Sequence, residues 1–537
     1  MIQKNIFKRY NIIVKKLGIL LMVLSCLLSG FGGMLLYNAD FSIYSFAPRE
    51  ERSVEPIIPQ PDIEFDDSVY VEENWNDKAS ESYAGGNGTK ENPYQISNAA
   101  EFAHLSVMNK ASENNVKGKY FILTKDIYLN DGYFDDDGTY HDGGDGVLNV
   151  WDYLGVFAGT FDGRGFNVYG LYSRTKSLFN GNRAETSVSN MHIKKSYLSM
   201  LSGGGFFQAN SGIIESCSFD GVVFNDTENR SAFGGISGTN VGAIRNCVNY
   251  GNVLGNNSAM KIGGIVGINY SGSVVENCVN YGDVGTKTTK YYVGGIVGDG
   301  SNILRCKNYG KIYAANVKVG GIVGQGSASY CENHGEVVSG INEVGGVIGA
   351  IVMTSSPTHN KNYGSVTGGT KTGGVVGFTS DVAVNISYCE NYGKIKGTSY
   401  AVGGIVGNIT GKVVVSNCYN SATVLGFKYD KRGAGIVGNA ESGAIVQYCE
   451  SYAVINSRDG KTIVGGTNDV KIYNCIGVCE NQFNNKIVRQ IYATDLSKFS
   501  INFKTGKIIL NKGTALSVFM GRVDRELLIS KGFEIIS

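Results

Sequence analysis

The sequence predicts an all-β fold: a parallel, right-handed β-helix wound in coils of about 29 residues, with a short helical cap ahead of it and a small cap behind. Three observations carry that expectation. A glycine phrase, GGIVG or a near copy, stands at Gly234 to Ile236, Gly263 to Gly267, Gly294 to Gly298, Gly320 to Gly324, Gly345 to Gly349, Gly373 to Gly377, Gly403 to Gly407 and Ala434 to Gly438, with a degenerate TIVGG from Thr462. A second phrase, C-x-N-Y-G-x-V, alternates with it and is centred on Cys217, Cys247, Cys278, Cys306, Cys331, Asn360, Cys389, Cys418, Cys449 and Cys475, with Asn360 in place of a cysteine. Third, an aliphatic residue lies three places before nearly every cysteine (Ile214, Ile244, Val275, Ile303, Ile386, Val415, Val446, Ile472) and another six places after it (Val253, Val284, Ile312, Val337, Val366, Ile395, Val424, Ile455).

Those aliphatics are inward positions, whereas the residue after the cysteine varies freely (Lys307, Glu332, Lys361, Glu390, Tyr419) and reads as pointing to water. The repeat holds no amphipathic segment of helical length and is dense in Val, Ile, Tyr and Gly, so each is one coil of three short strands. Stacked at the strand spacing of roughly 4.8 Å, the nine steps from Cys217 to Cys475 give a rod of about 43 Å. The asparagine two places after the cysteine (Asn249, Asn280, Asn308, Asn333, Asn362, Asn391, Asn420) is expected at a coil corner in the left-handed region, its amide stacking along the rod.

From the N-terminus, Lys4, Lys8, Arg9, Lys15 and Lys16 precede an apolar run from Leu17 to Tyr37, so residues 1–37 read as a signal or membrane-anchor segment. A retained anchor, a cleaved signal and lipid attachment at Cys26 each remain open, and all three export the rest of the chain. Residues 38–82 carry four of the six prolines (Pro48, Pro56, Pro59, Pro61) among many acids and read as an extended linker. Residues 83–200 form a leading cap, in which Asn98 and Glu101 mark a helix start, Phe102, Leu105 and Met108 its apolar face, and Phe121 to Leu129 a strand-like run. Such a helix would cover the open end of the coil stack. Residues 201–480 are the repeats, and 481–537 a C-terminal cap of two or three strands plus a short helix.

The two phrases in fixed order, together with the leading segment GTKENPYQISNAAEFAHLS, FILTKDIYL and FAGTFDGRGFNVYGLYS, resemble the GLUG-motif repeat proteins of bacterial cell surfaces, over about residues 83 to 480. The resemblance implies a secreted or surface-displayed parallel β-helix and says little about ligand. Some immunoglobulin A-cleaving metalloproteases carry such repeats, but the zinc-binding HExxH of that activity is not found at His104, His141, His192, His334 or His359.

Candidate chemistry is thin. Glycine is 75 of 537 residues, charged residues are 18 %, and the net charge is +1 without basic clusters, which argues against nucleic acid as a partner. Asp135-x-Asp137-Gly138-Thr139 has the look of a calcium loop but lacks the downstream Glu, so residues 131–146 read as a solvated acidic loop. Gly460-Lys461-Thr462 is no phosphate loop, because Ile455 occupies the leading glycine position. Asp283, Asp299, Glu343 and Asp381 fall in different phases of the repeat and are expected on different faces, away from any column that pairs them with a base. The cysteines are expected as a column of free thiols, with Cys475 and Cys479 set apart as a pair able to bridge. No catalytic residue, cofactor or metal is assigned.

The expected function is a non-enzymatic surface rod that adheres to a host or cell-surface protein or a glycan and is held to the membrane through its N-terminal segment, or released on cleavage. The tyrosines at Tyr250, Tyr281, Tyr309, Tyr363 and Tyr392, with His334 among them, would form a ladder at one corner, either as a sugar-stacking surface or as a plain corner cover. The alternative is a carbohydrate-active lyase or glycosidase on the same fold.

Overall fold

The computed structural model describes residues 69–536 except 154, 226–230, 257–260, 316–317, 427–432, 442, 458–459, 468, 482–485, 493–498, 503–506 and 511–533, with backbone alone from 481 onward. The segment read as an anchor, most of the linker and the helix expected in the C-terminal cap therefore lie outside the described residues. Among the described residues, no helix is long and apolar enough to cross a membrane.

The coil stack is as expected, a parallel β-solenoid of about 13 turns at roughly 29-residue spacing. One coil shows the plan. Lys261–Gly263 lies on a first face, Val266–Asn269 and Val274–Glu276 on a second, and Val279–Asn280 followed by Val284 on a third. Each residue pairs with its equivalent in the coils before and after: Ile262 with Phe233 and Val293, Val275 with Ile244 and Ile303, Asn280 with Asn249 and Asn308. Register is held because one face of every strand is buried, so a slip of one residue would turn the whole aliphatic set to solvent. Ile265, Val266, Val275, Cys278 and Val284 are fully buried, and the same positions recur buried from coil to coil.

The two phrases meet in the interior. The second glycine of each pair has no room for a side chain: a Cβ on Gly295 would sit 2.1 Å from the Gly321 carbonyl of the next coil and 2.4 Å from the amide carbon of Asn308. Gly264 meets Asn280, Gly321 meets Asn333, Gly346 meets Asn362 and Gly374 meets Asn391 in the same way. Those asparagines form one ladder. Asn249 donates to Asn280 at 2.7 Å, Asn280 to Asn308 and Asn308 to Asn333 at 2.8 Å, Asn333 to Asn362 at 2.9 Å, and Asn362 to Asn391 and Asn391 to Asn420 at 2.8 Å. Each Nδ2 from Asn249 to Asn391 also donates to the carbonyl of the glycine two residues on, so both amide protons are used in a fully buried site. The ladder starts after Phe219, which fills the equivalent place against Gly205, and stops at Ser451 against Gly435. A second, shorter ladder runs from Asn182 through Asn210 and Asn240 to Asn269.

The left-handed corner is one place before the cysteine rather than two after it, which corrects the sequence reading. Asn246, Asn277, Arg305, Tyr330, His359, Tyr388 and Asn417 have φ between +53° and +59°, whereas the ladder asparagines lie in strands. The reason is alternation. Inward residues three apart cannot both face the core on a straight strand, and a single left-handed residue turns the corner and resets the pattern.

The leading cap fills the coil with rings instead of aliphatics. Asn98 caps the helix Ala99–Ala111 by accepting from the Glu101 amide, and Glu101 accepts in return from the Ser97 amide at 2.6 Å. Phe102 and Leu105 are buried as expected, with Phe102 stacked on Trp151 at 5.1 Å and close to Phe161 and Phe179, while Met108 is only half-buried. Val71–Asn74 pairs with Val147–Val150 inside the stretch read as linker, and the Trp75 ring nitrogen donates to the Leu129 carbonyl. At the other end, Lys486–Tyr492 pairs antiparallel with Cys475–Asn481, and Phe499–Asn502, Lys507–Leu510 and Glu534–Ile536 make a separate three-stranded sheet.

All described cysteines are free and buried. The amides of Cys278 and Cys306 donate to the sulfur of the next coil's cysteine at 3.4 Å, and each of these thiols lies 3.3 Å from the carbonyl two residues before it. Asn360 takes the column position between Cys331 and Cys389, accepting from the Cys331 amide at 3.0 Å and donating to the Ala328 carbonyl at 2.7 Å. Cys475 and Cys479 do not bridge, contrary to expectation. They sit on one strand, four residues and about 13 Å apart, beyond the reach of a disulfide.

Two outcomes follow from this packing. Gly295→Ala should lower the unfolding free energy from a urea titration followed by far-UV circular dichroism, by about 2 kcal/mol or more for a forced interior clash. Gly181→Ala, whose added methyl would come no nearer than 3.6 Å to the Ala209 carbonyl, should leave that free energy within about 0.5 kcal/mol. Burial pushes the Cys217 thiol up to about 12 and those of Cys247, Cys306, Cys418 and Cys449 well above their ordinary range. Because the folded state disfavours the thiolate, this contribution to stability is complete below about pH 9 and is lost as pH rises toward 12. The fold should lose stability in that alkaline window, and its buried thiols should resist alkylation at pH 8 until denaturant is added.

Candidate binding surfaces

The residue after each ladder asparagine points outward, and strand spacing brings successive rings into contact. Tyr250, Tyr281, Tyr309, His334, Tyr363 and Tyr392 stack with centroids 5.3, 5.1, 4.7, 4.7 and 5.2 Å apart and planes within 14° of parallel. The tyrosines are 38 to 54 % exposed. Because each ring covers its neighbours' faces, the column presents hydroxyls and ring edges along its length and open π faces only at its ends. Beside it the position after the cysteine makes a charge ladder of Lys307, Glu332, Lys361 and Glu390 in register. Lys307 pairs with Glu332 at 3.0 Å and Lys361 with Glu390 at 3.4 Å, while His334 reaches Glu332 at 3.2 Å and Tyr392 donates to Glu390 at 2.6 Å. A second stack, Tyr330, His359 and Tyr388, occupies the left-handed corner at 4.7 and 4.8 Å.

A polar groove lies along the glycine-pair bend. The residue two places before each pair (Lys261, Tyr292, Lys318, Glu343, Lys371) forms one column, and the residue seven places further on (Ile268, Asp299, Gln325, Ala350, Phe378) forms another. The bend is tight enough for the two to touch: Lys318 donates to Gln325, and Lys371 lies 3.5 Å over the Phe378 ring. Asp299 takes Lys261 at 2.8 Å and the Gln325 amide at 3.2 Å, Glu343 takes Lys371 at 3.0 Å, and Lys318 sits 5.0 Å over Tyr292. The Asp299 and Glu343 side chains are each only 13 % exposed. Burial pulls Lys318 below the ordinary lysine range against the fields of Glu343 and Asp299, and burial with Asp299 beside it raises Tyr292.

This groove overturns the expectation that scattered acids lie on separate faces. Asp299 and Glu343 belong to different phases of the repeat, yet the bend folds one phase onto the other, an effect that spacing along a single strand does not reveal. Asp283 does lie elsewhere, on the third face, where burial raises its carboxyl and the Lys311 amide donates to it. Asp381 occupies a left-handed corner, and Thr462 is buried beneath Gly477.

The acidic loop is partly folded rather than simply solvated. Tyr133–Phe134 pairs antiparallel with Tyr140–His141, and Phe134 and Tyr140 cover Tyr172, Tyr197, Val222 and Leu254 on the outside of the third face. The Asp135 carboxylate accepts from the Asp137 and Thr139 amides and lies 2.9 Å from the His141 ring, contacts that close the turn from within.

No family model matches the chain, and no curated protein matches it. Among solved structures it is similar to a crystal structure from Bacteroides ovatus described as a "putative immunoglobulin A1 protease", at 20 % identity and a TM-score of 0.31, with 62 % of this chain and 87 % of that one covered.

Proposed function

We propose that the chain is a non-enzymatic rod of the GLUG-motif kind, displayed at a bacterial surface, which adheres to a host or cell-surface protein or glycan along its stacked-ring column. The observation that supports this is the column itself: six rings held nearly parallel and outward over five coil steps. A scaffold so regular offers a partner the same hydroxyl-bearing edge at each step, and an elongated partner gains from every step at once. Internal pairing of the flanking charges, Lys307 with Glu332 and Lys361 with Glu390, keeps the surface near neutral and suits contact by hydrogen bonds and ring edges.

The enzymatic alternative draws on the groove, where Asp299 and Glu343 stand among lysines. Both readings are separated by presenting the full chain to immobilised glycans and host-matrix proteins while assaying for new reducing or unsaturated ends. Binding without turnover, weakened about tenfold or more by Tyr281→Ala with Tyr363→Ala as expected for loss of hot-spot aromatics, is the expected result. Cleavage products would overturn it in favour of the enzyme, and so would binding that ignores both tyrosines as regards the column.

A further inference from the structure

The groove at the glycine-pair bend holds an unbalanced set of charges. Lys261, Lys318 and Lys371 face Asp299 and Glu343, and each carboxylate already has a lysine: Asp299 takes Lys261 and Glu343 takes Lys371. Among the described residues, Lys318 has no carboxylate within ion-pair distance. Its ammonium is held instead by the neutral Gln325 oxygen and by the Tyr292 ring. A half-buried ammonium oriented by neutral groups is a site prepared for an anion that the chain does not supply.

The shape around it is elongated. Opposite Glu343 the facing position is Ala350, fully buried and without a polar group to reach across the bend, and Glu343 takes Lys371 of the next coil. From Tyr292 to Phe378 spans three coil steps, about 14 Å at the strand spacing. The walls mix half-buried rings (Tyr292, Phe378), a planar amide (Gln325) and two carboxylates with unused lone pairs. A small inorganic anion would use only Lys318. A nucleic acid would bring a phosphate at every step past Asp299 and Glu343 and be repelled. An oligomer that carries hydroxyls, C–H faces and an occasional carboxylate uses all of these groups.

We propose that this groove binds an acidic oligosaccharide, with a sugar carboxylate seated on Lys318, hydroxyls on Asp299 and Gln325, and Tyr292 and Phe378 flanking the chain. The site is separate from the stacked-ring column and does not depend on it. Calorimetric titration of the full chain with a hyaluronan tetrasaccharide, whose carboxylates fall on every second sugar, maltotetraose and inorganic phosphate tests it. The hyaluronan tetrasaccharide should bind saturably and weaken about tenfold or more in Lys318→Gln, the loss expected for one charge-assisted hydrogen bond. Glu343→Gln, which removes a repelling carboxylate, should tighten it, and Tyr281→Ala with Tyr363→Ala should leave it unchanged. Equal affinity for maltotetraose, competition by phosphate at equal concentration, indifference to both groove substitutions, or no binding at all would overturn the assignment. Because the ring-column variant is read in the same titration, failure here is distinguishable from failure of the column as an adhesive surface.

Discussion

One contact sets the dimensions of the coil: the second glycine of each GGIVG phrase lying against the ladder asparagine of the C-x-N phrase. Gly295 against Asn308 and Gly346 against Asn362 leave no space for even a methyl group. The asparagine in turn is tied to the coils on either side and to the carbonyl two residues on. Neither phrase is useful alone. The glycine makes room for an amide that would otherwise be a buried polar liability, and the amide fills a gap that would otherwise be a void. Other recurring glycines obey the same steric rule, as Gly282 does where a Cβ would fall 1.8 Å from the Gly251 carbonyl of the preceding coil. Their glycine character comes from close backbone approach, and their φ values are unexceptional.

Much of this was legible in the sequence because a solenoid repeats its own evidence. The inward positions at Val275, Cys278 and Val284, the helix start at Asn98 and the outward tyrosines follow from spacing alone. What spacing could not deliver was the third dimension of the bend. Asp299 and Glu343 differ in phase and so appeared unrelated, although the glycine pair folds their columns side by side. The left-handed residue was misplaced by three positions for a related reason. Asparagine is at home both in that conformation and in an amide ladder, and only geometry tells which demand selected it. The Asp-rich loop hid its role in its apolar members, Phe134 and Tyr140, which lay its acids over the third face.

The outer surface follows the same arithmetic as the core. A residue exposed once per coil meets its own kind about 5 Å away, so each outward position becomes a column with a collective property. Identical charges at such a spacing would repel, and the alternation of Lys307, Glu332, Lys361 and Glu390 removes that penalty while leaving little net field. Rings at the same spacing attract, at about 0.5–1.5 kcal/mol per pair beyond their buried area. The groove departs from both patterns by mixing types within one column.

The strand Lys486–Tyr492 runs against the direction of every strand beneath it on the third face. A stack of identical, same-direction rungs is half of a fibre, since its last rung offers a template on which the first rung of another copy could settle. Reversing the final strand changes the polarity of that template and breaks the translational repeat. On this face the parallel repeat thereby ends in a strand of opposite direction.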